Sequence, residues 1–280
     1  MTATGVTTEW EVDRLDLDAY LARIGLESRP PPTPKGLRWL QQAHILAIPF
    51  ENLDVLLDRP VRIDIDSIQD KLVARRRGGY CYEHNLLYSA ALQRLGFGVE
   101  RLSARVRMGV DHVRPHSHMV LRVDAGGIEW LADAGFGGEA PIAPIPFADG
   151  TVTQNEGGWN HSLVRESEST WVLRSLRPDG WFDLYAFTLE PQHQVDYVVY
   201  NHYISTHPRS PFSSTLYAQR TTLDLRLSLS GLRLAENRPD GSETVTGVDP
   251  DALADTLRER FSIPLDAEEA QTLRARVQAV

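Results

Sequence analysis

Residues 81–106, CYEHNLLYSAALQRLGFGVERLSARV, change their period partway along. Up to Arg94 the apolar positions Leu86, Leu87, Ala90 and Ala91 recur at three- and four-residue intervals, the spacing of one helix face. Gly96, just past Leu95, supplies a residue that can turn left-handed and end the helix. From Phe97 the pattern alternates, with Leu102, Ala104 and Val106 on one side of a strand and Arg101, Ser103 and Arg105 on the other. A helical part therefore precedes a β part, and the chain reads as α+β.

Working back from this switch, Asp16 can cap a short helix through Ile24 that Gly25 ends, and Thr33-Pro34 opens a second helix that stops before Pro49. Asp66 with Gln69 predicts a capping box for a third helix, through Val73. Working forward, strand-like runs through Asp133 and around Leu163, Val172 and Leu184 predict an antiparallel sheet or barrel. A helix near Val195–Tyr203, strands around Leu216–Leu234, a Pro239-Asp240-Gly241 turn and two closing helices, the first capped by Asp249, complete the chain.

With 280 residues and 42% hydrophobic side chains, the chain can bury a large core and is no disordered tail. Its net charge of −9 argues against a general nucleic-acid or membrane-surface role, and an anionic ligand needs a local basic pocket. Met1 to Arg14 holds no apolar run and nothing approaches the ~20 apolar residues of a membrane span, so the cytoplasm is the default compartment. A single cysteine excludes an intramolecular disulfide and a Cys-rich metal site.

That cysteine, Cys81, follows three arginines, Arg75 to Arg77, and the pair Gly78-Gly79, and it opens the helix. A thiol in a first helical turn feels unpaired N–H groups and the positive end of the helix dipole, which favour thiolate. A nucleophilic thiol needs a base, and the base an orienting acid. His116 to Val123 reads as a strand, Asp124-Ala125-Gly126-Gly127 as a turn, and Ile128 to Asp133 as the returning strand. Pairing Val123 with Ile128 predicts His118 directly opposite Asp133. Cys81 and His84 also have a two-ligand zinc spacing, but without a second cysteine no closed metal site is expected.

Arg77-Gly78-Gly79-Tyr80-Cys81-Tyr82-Glu83-His84-Asn85, Ile48-Pro49-Phe50-Glu51-Asn52-Leu53, Ser117-His118, Asp133-Ala134-Gly135-Phe136-Gly137 and Tyr203-Ile204-Ser205-Thr206-His207-Pro208 with Phe212 together resemble the arylamine N-acetyltransferase family. The resemblance implies a helical bundle over 1–96 carrying the nucleophile, a β-barrel over 97–192 carrying His and Asp, and an α/β lid over 193–280, with a Cys-His-Asp arrangement like that of cysteine proteases. It implies acetyl-CoA as co-substrate, no metal, and an aromatic amine, hydrazine or hydroxylamine as acceptor, in xenobiotic metabolism. Cys81 would be the nucleophile, His118 the base and Asp133 the orienting acid. Phe50 and Phe136 would line the acceptor pocket, and Ser117, Gly135, Gly137 and Phe212 the coenzyme path. Ser117 stands where threonine is common, Ala134 where valine is, and the segment between Arg107 and His116 is short for the family. The competing readings are an amide synthase of the same fold closing a macrolactam, a papain- or transglutaminase-like thiol hydrolase, and a binding module with a structural cysteine. No residue pattern decides between a monomer and a homodimer.

Overall fold

The first two helices start where a side chain caps them. In the computed structural model, which describes residues 9–110, 112–154 and 157–278, Asp16 accepts a hydrogen bond from the Ala19 N–H at 2.9 Å and opens α1 (Leu17–Arg23). Thr33 accepts from the Gly36 N–H at 3.2 Å, and α2 (Pro34–Ala47) begins with the expected proline. Strand β1 (Phe50–Glu51) and the short α3 (Leu53–Leu56) follow.

The third cap differs from the expectation: Asp64, not Asp66, accepts from the Ser67 N–H at 2.9 Å and opens α4 (Ile65–Gln69), which widens into a π turn over Asp70–Ala74. Ile65 and Ile68 are both buried, and a helix starting after Asp66 would leave Ile65 off the apolar face. Helix α5 (Cys81–Arg94) ends as read, with Gly96 at φ +89°.

Strands β2 (Gly98–Val106), β3 (His118–Asp124), β4 (Glu129–Ala132), β5 (Ile145–Pro146), β6 (Thr151–Gln154), β7 (Asn160–Arg165), β8 (Trp171–Arg177) and β9 (Gly180–Pro191) form one antiparallel sheet in the order β5-β4-β3-β2-β9-β8-β7-β6. Its edge strands β5 and β6 meet, so the sheet curls into a nearly closed barrel. Leu102, Ala104, Val120, Leu131, Leu163, Leu173, Leu184 and Phe187 fill the interior. The other face of β3, through Met119, Leu121 and Val123, packs against α1, α2, α4 and α5. The Arg101 and Ser103 side of β2 is buried too: Arg101 donates to Ser89 at 3.1 Å and Gln93 at 2.6 Å on α5.

Helix α6 (Gln194–Thr206) leads to β10 (Tyr217–Thr221), β11 (Arg226–Ser230), β12 (Arg233–Asn237) and β13 (Glu243–Gly247), then α7 (Leu253–Phe261) and α8 (Ala267–Gln278). These strands make a second antiparallel sheet, β1-β10-β11-β12-β13, whose first strand comes from far upstream: Phe50 pairs with Gln219 and Glu51 with Ala218. Leu53 and Leu56 of α3 join its core beside Leu227, Leu229, Leu257 and Phe261. No helix among the described residues is long and apolar enough to cross a membrane.

The β3–β4 hairpin corrects the predicted register. Val123 pairs with Trp130 and Asp124 with Glu129, and the tight turn is made by Gly126 and Gly127, at φ +69° and +80°. A two-residue hairpin turn of this kind needs positive φ at both central positions, which the adjacent glycines adopt without strain and Ala125 does not. The slip is two residues. It preserves which face each side chain takes, so His118 and Asp133 remain on the same side, now as diagonal neighbours.

Candidate active site

Cys81 sits at the first position of α5, where Tyr80 and Glu83 make a capping box: the Tyr80 N–H donates to Glu83 Oε2 at 3.0 Å. The thiol is 4% exposed and lies 3.6 Å from the carbonyl oxygen of Ser117, the residue before His118. Burial and the nearby Asp133 charge push this thiol up, whereas the backbone N–H groups of Tyr82 and Met119 pull the other way. The Tyr82 N–H at the helix start thus favours thiolate against the larger opposing effect of burial.

His118 Nε2 lies 2.7 Å from Asp133 Oδ2, both side chains buried. Asp133 accepts three further hydrogen bonds: from Tyr185 Oη at 2.9 Å, Asn85 Nδ2 at 2.9 Å and the Gly135 N–H at 2.9 Å. Burial by itself would raise this carboxyl; the His118 ring and the hydrogen bonds from His118, Asn85 and Gly135 overcome it and hold the carboxyl below the usual range. An ionised Asp133 fixes Nε2 as the protonated ring nitrogen and leaves Nδ1 for proton transfer. Asn85 also donates to Met119 O at 2.6 Å and accepts from the Ala134 N–H at 3.0 Å, tying α5 to both strands of the hairpin.

A cavity of about 750 Å³ opens beside the thiol. Cys81, His118, Ser117, Gly135, Phe136, Phe50 and Phe212 all line it, while Asp133 lies behind His118. Gly137 is not among the lining residues: at φ +81°, it packs on Gln219 and Phe50. Gly135 is bare for a structural reason, because a Cβ there would meet the Cys81 carbonyl oxygen at 2.7 Å. Phe212 lines the cavity and also packs against Phe50, Tyr80 and Tyr217, with ring centroids 5.5–6.0 Å apart.

A second polar cluster surrounds Glu83, two residues after Cys81. Lys71 Nζ is 2.8 Å from Glu83 Oε1 and 2.7 Å from Asp54 Oδ2. Arg77 is 3.1 Å from Glu51 and 3.2 Å from Glu269 on α8. His84 faces away from Cys81 chemistry: its Nδ1 meets His44 Nε2 at 2.9 Å and its Nε2 the Pro49 carbonyl at 3.1 Å. The Cys81/His84 metal spacing is thus spent on hydrogen bonds, and no group of three or more metal-ligating side chains occurs among the described residues.

Tyr185 and Asn85 were not singled out from sequence as site residues. Asn85 could have been, since a position four residues after Cys81 shares its helix face; Tyr185 stands on β9, 52 residues beyond Asp133, with no sequence signal.

Residues 35–270 match the family model described as N-acetyltransferase. An arylamine N-acetyltransferase of Mycobacterium tuberculosis is 40% identical over 273 residues, 94% of this chain and 95% of the relative. The Nocardia farcinica arylamine N-acetyltransferase structure superposes with a TM-score of 0.90 at 43% identity, covering 95% of each chain. The Mycobacterium marinum enzyme in complex with CoA superposes at 0.89 and 39% identity, covering 95% of this chain and 99% of that one.

Proposed function

This chain belongs to the arylamine N-acetyltransferase family, and on that premise we propose that it moves an acetyl group from acetyl-CoA to the nitrogen of an aromatic amine, hydrazine or hydroxylamine through an acetyl-Cys81 intermediate. The observation that carries this reading is the 2.7 Å His118–Asp133 hydrogen bond beside a buried thiol at a helix start.

Burial disfavours charge on the lone thiol, so His118 Nδ1 takes its proton, and the imidazolium created is stabilised by Asp133. Sulfur then adds to the thioester carbonyl of acetyl-CoA, with backbone N–H groups near Cys81 receiving the negative charge on oxygen. The C–S bond to the coenzyme breaks, the coenzyme sulfur leaves with the proton from His118, and acetyl stays on Cys81. The amine attacks this second thioester and gives a proton to His118; Cys81 leaves as thiol and the amide departs. Burial of Cys81 and His118 at the inner end of the cavity limits the access of water and protects the acetyl-enzyme from hydrolysis.

Phe50 and Phe136 offer ring faces to the acceptor, and Ser117, Gly135 and Phe212 border the pantetheine arm; Gly137, at φ +81°, shapes the loop that carries Gly135 and Phe136. The M. marinum relative in complex with CoA supports a coenzyme A donor. The acetyltransferase relatives, matched over nearly their full length, favour this reading over macrolactam closure and thiol hydrolysis. We place the reaction in the cytoplasm, on foreign aromatic amines. Incubation with acetyl-CoA followed by intact-mass measurement is expected to show one acetyl adduct on the wild type and none on Cys81→Ser; no adduct, or an adduct on both, overturns the mechanism.

A further inference from the structure

The cavity changes character along its length. At its inner end stand Cys81 and His118, both buried, with Phe136 beside them. Toward solvent it meets two arginines: Arg114, half-buried on the segment between β2 and β3, and Arg209, exposed on the turn after α6.

Other arginines around the site are committed. Arg77 is held by Glu51 and Glu269, Arg107 by Glu166 and Asp183, Arg174 by Asp183 and Arg177 by Glu139. Among the described residues the Arg114 and Arg209 side chains have no carboxylate partner; what is bonded there is backbone, with Arg105 donating to the Arg114 carbonyl at 2.7 Å and the Arg209 N–H to His207 at 3.1 Å. Among the described residues one carboxylate lines the cavity, Glu139, which pairs with Arg177 and accepts from Ser175 at 2.8 Å. A chain with net charge −9 thus presents, among its described residues, two arginines without carboxylate partners on the lining of its catalytic cavity.

We propose that Arg114 and Arg209 form the anion-recognition site for the phosphates of the acyl donor. The inference rests on the reading of that donor as a coenzyme A thioester. Such a molecule carries its reactive carbonyl at one end of an uncharged pantetheine arm and its phosphates at the other, which matches a cavity with a buried thiol at one end and two cations at the other. Guanidinium groups bind phosphate oxygens through paired charge-assisted hydrogen bonds, and an unpaired one gives up no ion pair to do so. The rim then selects coenzyme A thioesters over the same acyl-pantetheine lacking phosphate.

Two donors with the same reacting end test this: acetyl-CoA and S-acetylpantetheine. Arg114→Ala and Arg209→Ala are each expected to raise KM for acetyl-CoA about tenfold at low salt, with kcat and the kinetics of S-acetylpantetheine unchanged. Arg209→Lys should recover part of the loss, and the wild-type preference for acetyl-CoA should shrink as salt is raised. An unaltered acetyl-CoA KM in both variants overturns the proposal, as does an equal rise for both donors, which would mean a reshaped cleft. Arg209 is exposed, so its variants decide the matter even if Arg114→Ala fails to fold. Absence of acetyl-Cys81 from either donor would defeat the mechanism; adducts forming normally in variants with wild-type KM would defeat the rim alone.

Discussion

Two buried carboxylates, Asp133 and Glu83, stand near Cys81, and their surroundings push them in opposite directions. Asp133, behind His118, collects four donors and is held below the usual carboxylate range despite complete burial. Glu83, two residues after Cys81, is pushed up to about 7: burial comes first, the attraction of Lys71 opposes it, and the charge of Glu51 adds to the rise. Lys71 itself is held above its ordinary value against the effect of burial, because Glu83, Glu51 and Asp54 all favour its charge. One ammonium shared among several carboxylates is thus a satisfied cation, while an individual carboxylate receives only part of its field. What separates the two sites is the number of donors aimed at the anion, not depth of burial.

The contrast is most exposed to test at Asp133. Asp133→Asn is expected to cut kcat/KM by about 10⁴-fold while the fold persists, since an amide fills the space but cannot stabilise the imidazolium and selects the wrong tautomer. Steady-state kinetics beside a thermal melt would check this; a loss of stability without a loss of rate in the folded fraction would make Asp133 merely structural. The stability contributed by its carboxylate is present above the unfolded value of ~3.9 and is lost as pH falls through the lower folded value.

Glu83→Gln should act with the reverse sign and a smaller size. A carboxyl raised to about 7 in the folded protein, against ~4.3 unfolded, contributes stability that is fully present below the unfolded value and lost as pH rises through the folded one. Glutamine keeps an oxygen for the Tyr80 N–H and cannot ionise, so the variant should gain on the wild type across that window, by about 4 kcal/mol at most. Thermal midpoints of both proteins from pH 5 to 8 measure it; a constant gap would mean that Glu83 is ionised throughout and that the two sites are alike.

The smallest change is Tyr185→Phe, which removes one of the four donors from Asp133 without touching its charge. A loss of about 1 kcal/mol of transition-state stabilisation, roughly fivefold in kcat/KM, is expected. A loss approaching that of Asp133→Asn would show that the phenol, rather than the accumulated set of donors, governs the base.

Local signals were legible in the chain and non-local ones were not. Asp16, Thr33 and Gly96 begin and end helices through contacts within a few residues, so sequence neighbours suffice to read them. The His118–Asp133 pair was readable because alternation fixes the face of each residue, and a two-residue slip leaves faces unchanged. The slip itself came from spreading the turn over Asp124 to Gly127 when only the two glycines take left-handed angles. Asp66 was read as a cap because spacing alone does not say whether Ile65 belongs to the buried stripe. Tyr185 reaching Asp133, Glu269 reaching Arg77 and Arg226 donating to the Ala140 carbonyl at 2.8 Å are meetings of distant segments, decided by packing rather than periodicity.

Strand β1 carries a consequence for how the protein is made. Its two residues precede the nucleophile helix, yet the strand beside them is β10, and the Arg77 ahead of Cys81 reaches to Glu269 near the far end of the chain. A polypeptide synthesised from its N-terminus has the thiol, imidazole and carboxylate all outside the ribosome well before either support exists. Tyr217 and Gln219 of β10 line the cleft, so one wall of it is complete only once this later sheet has folded against β1.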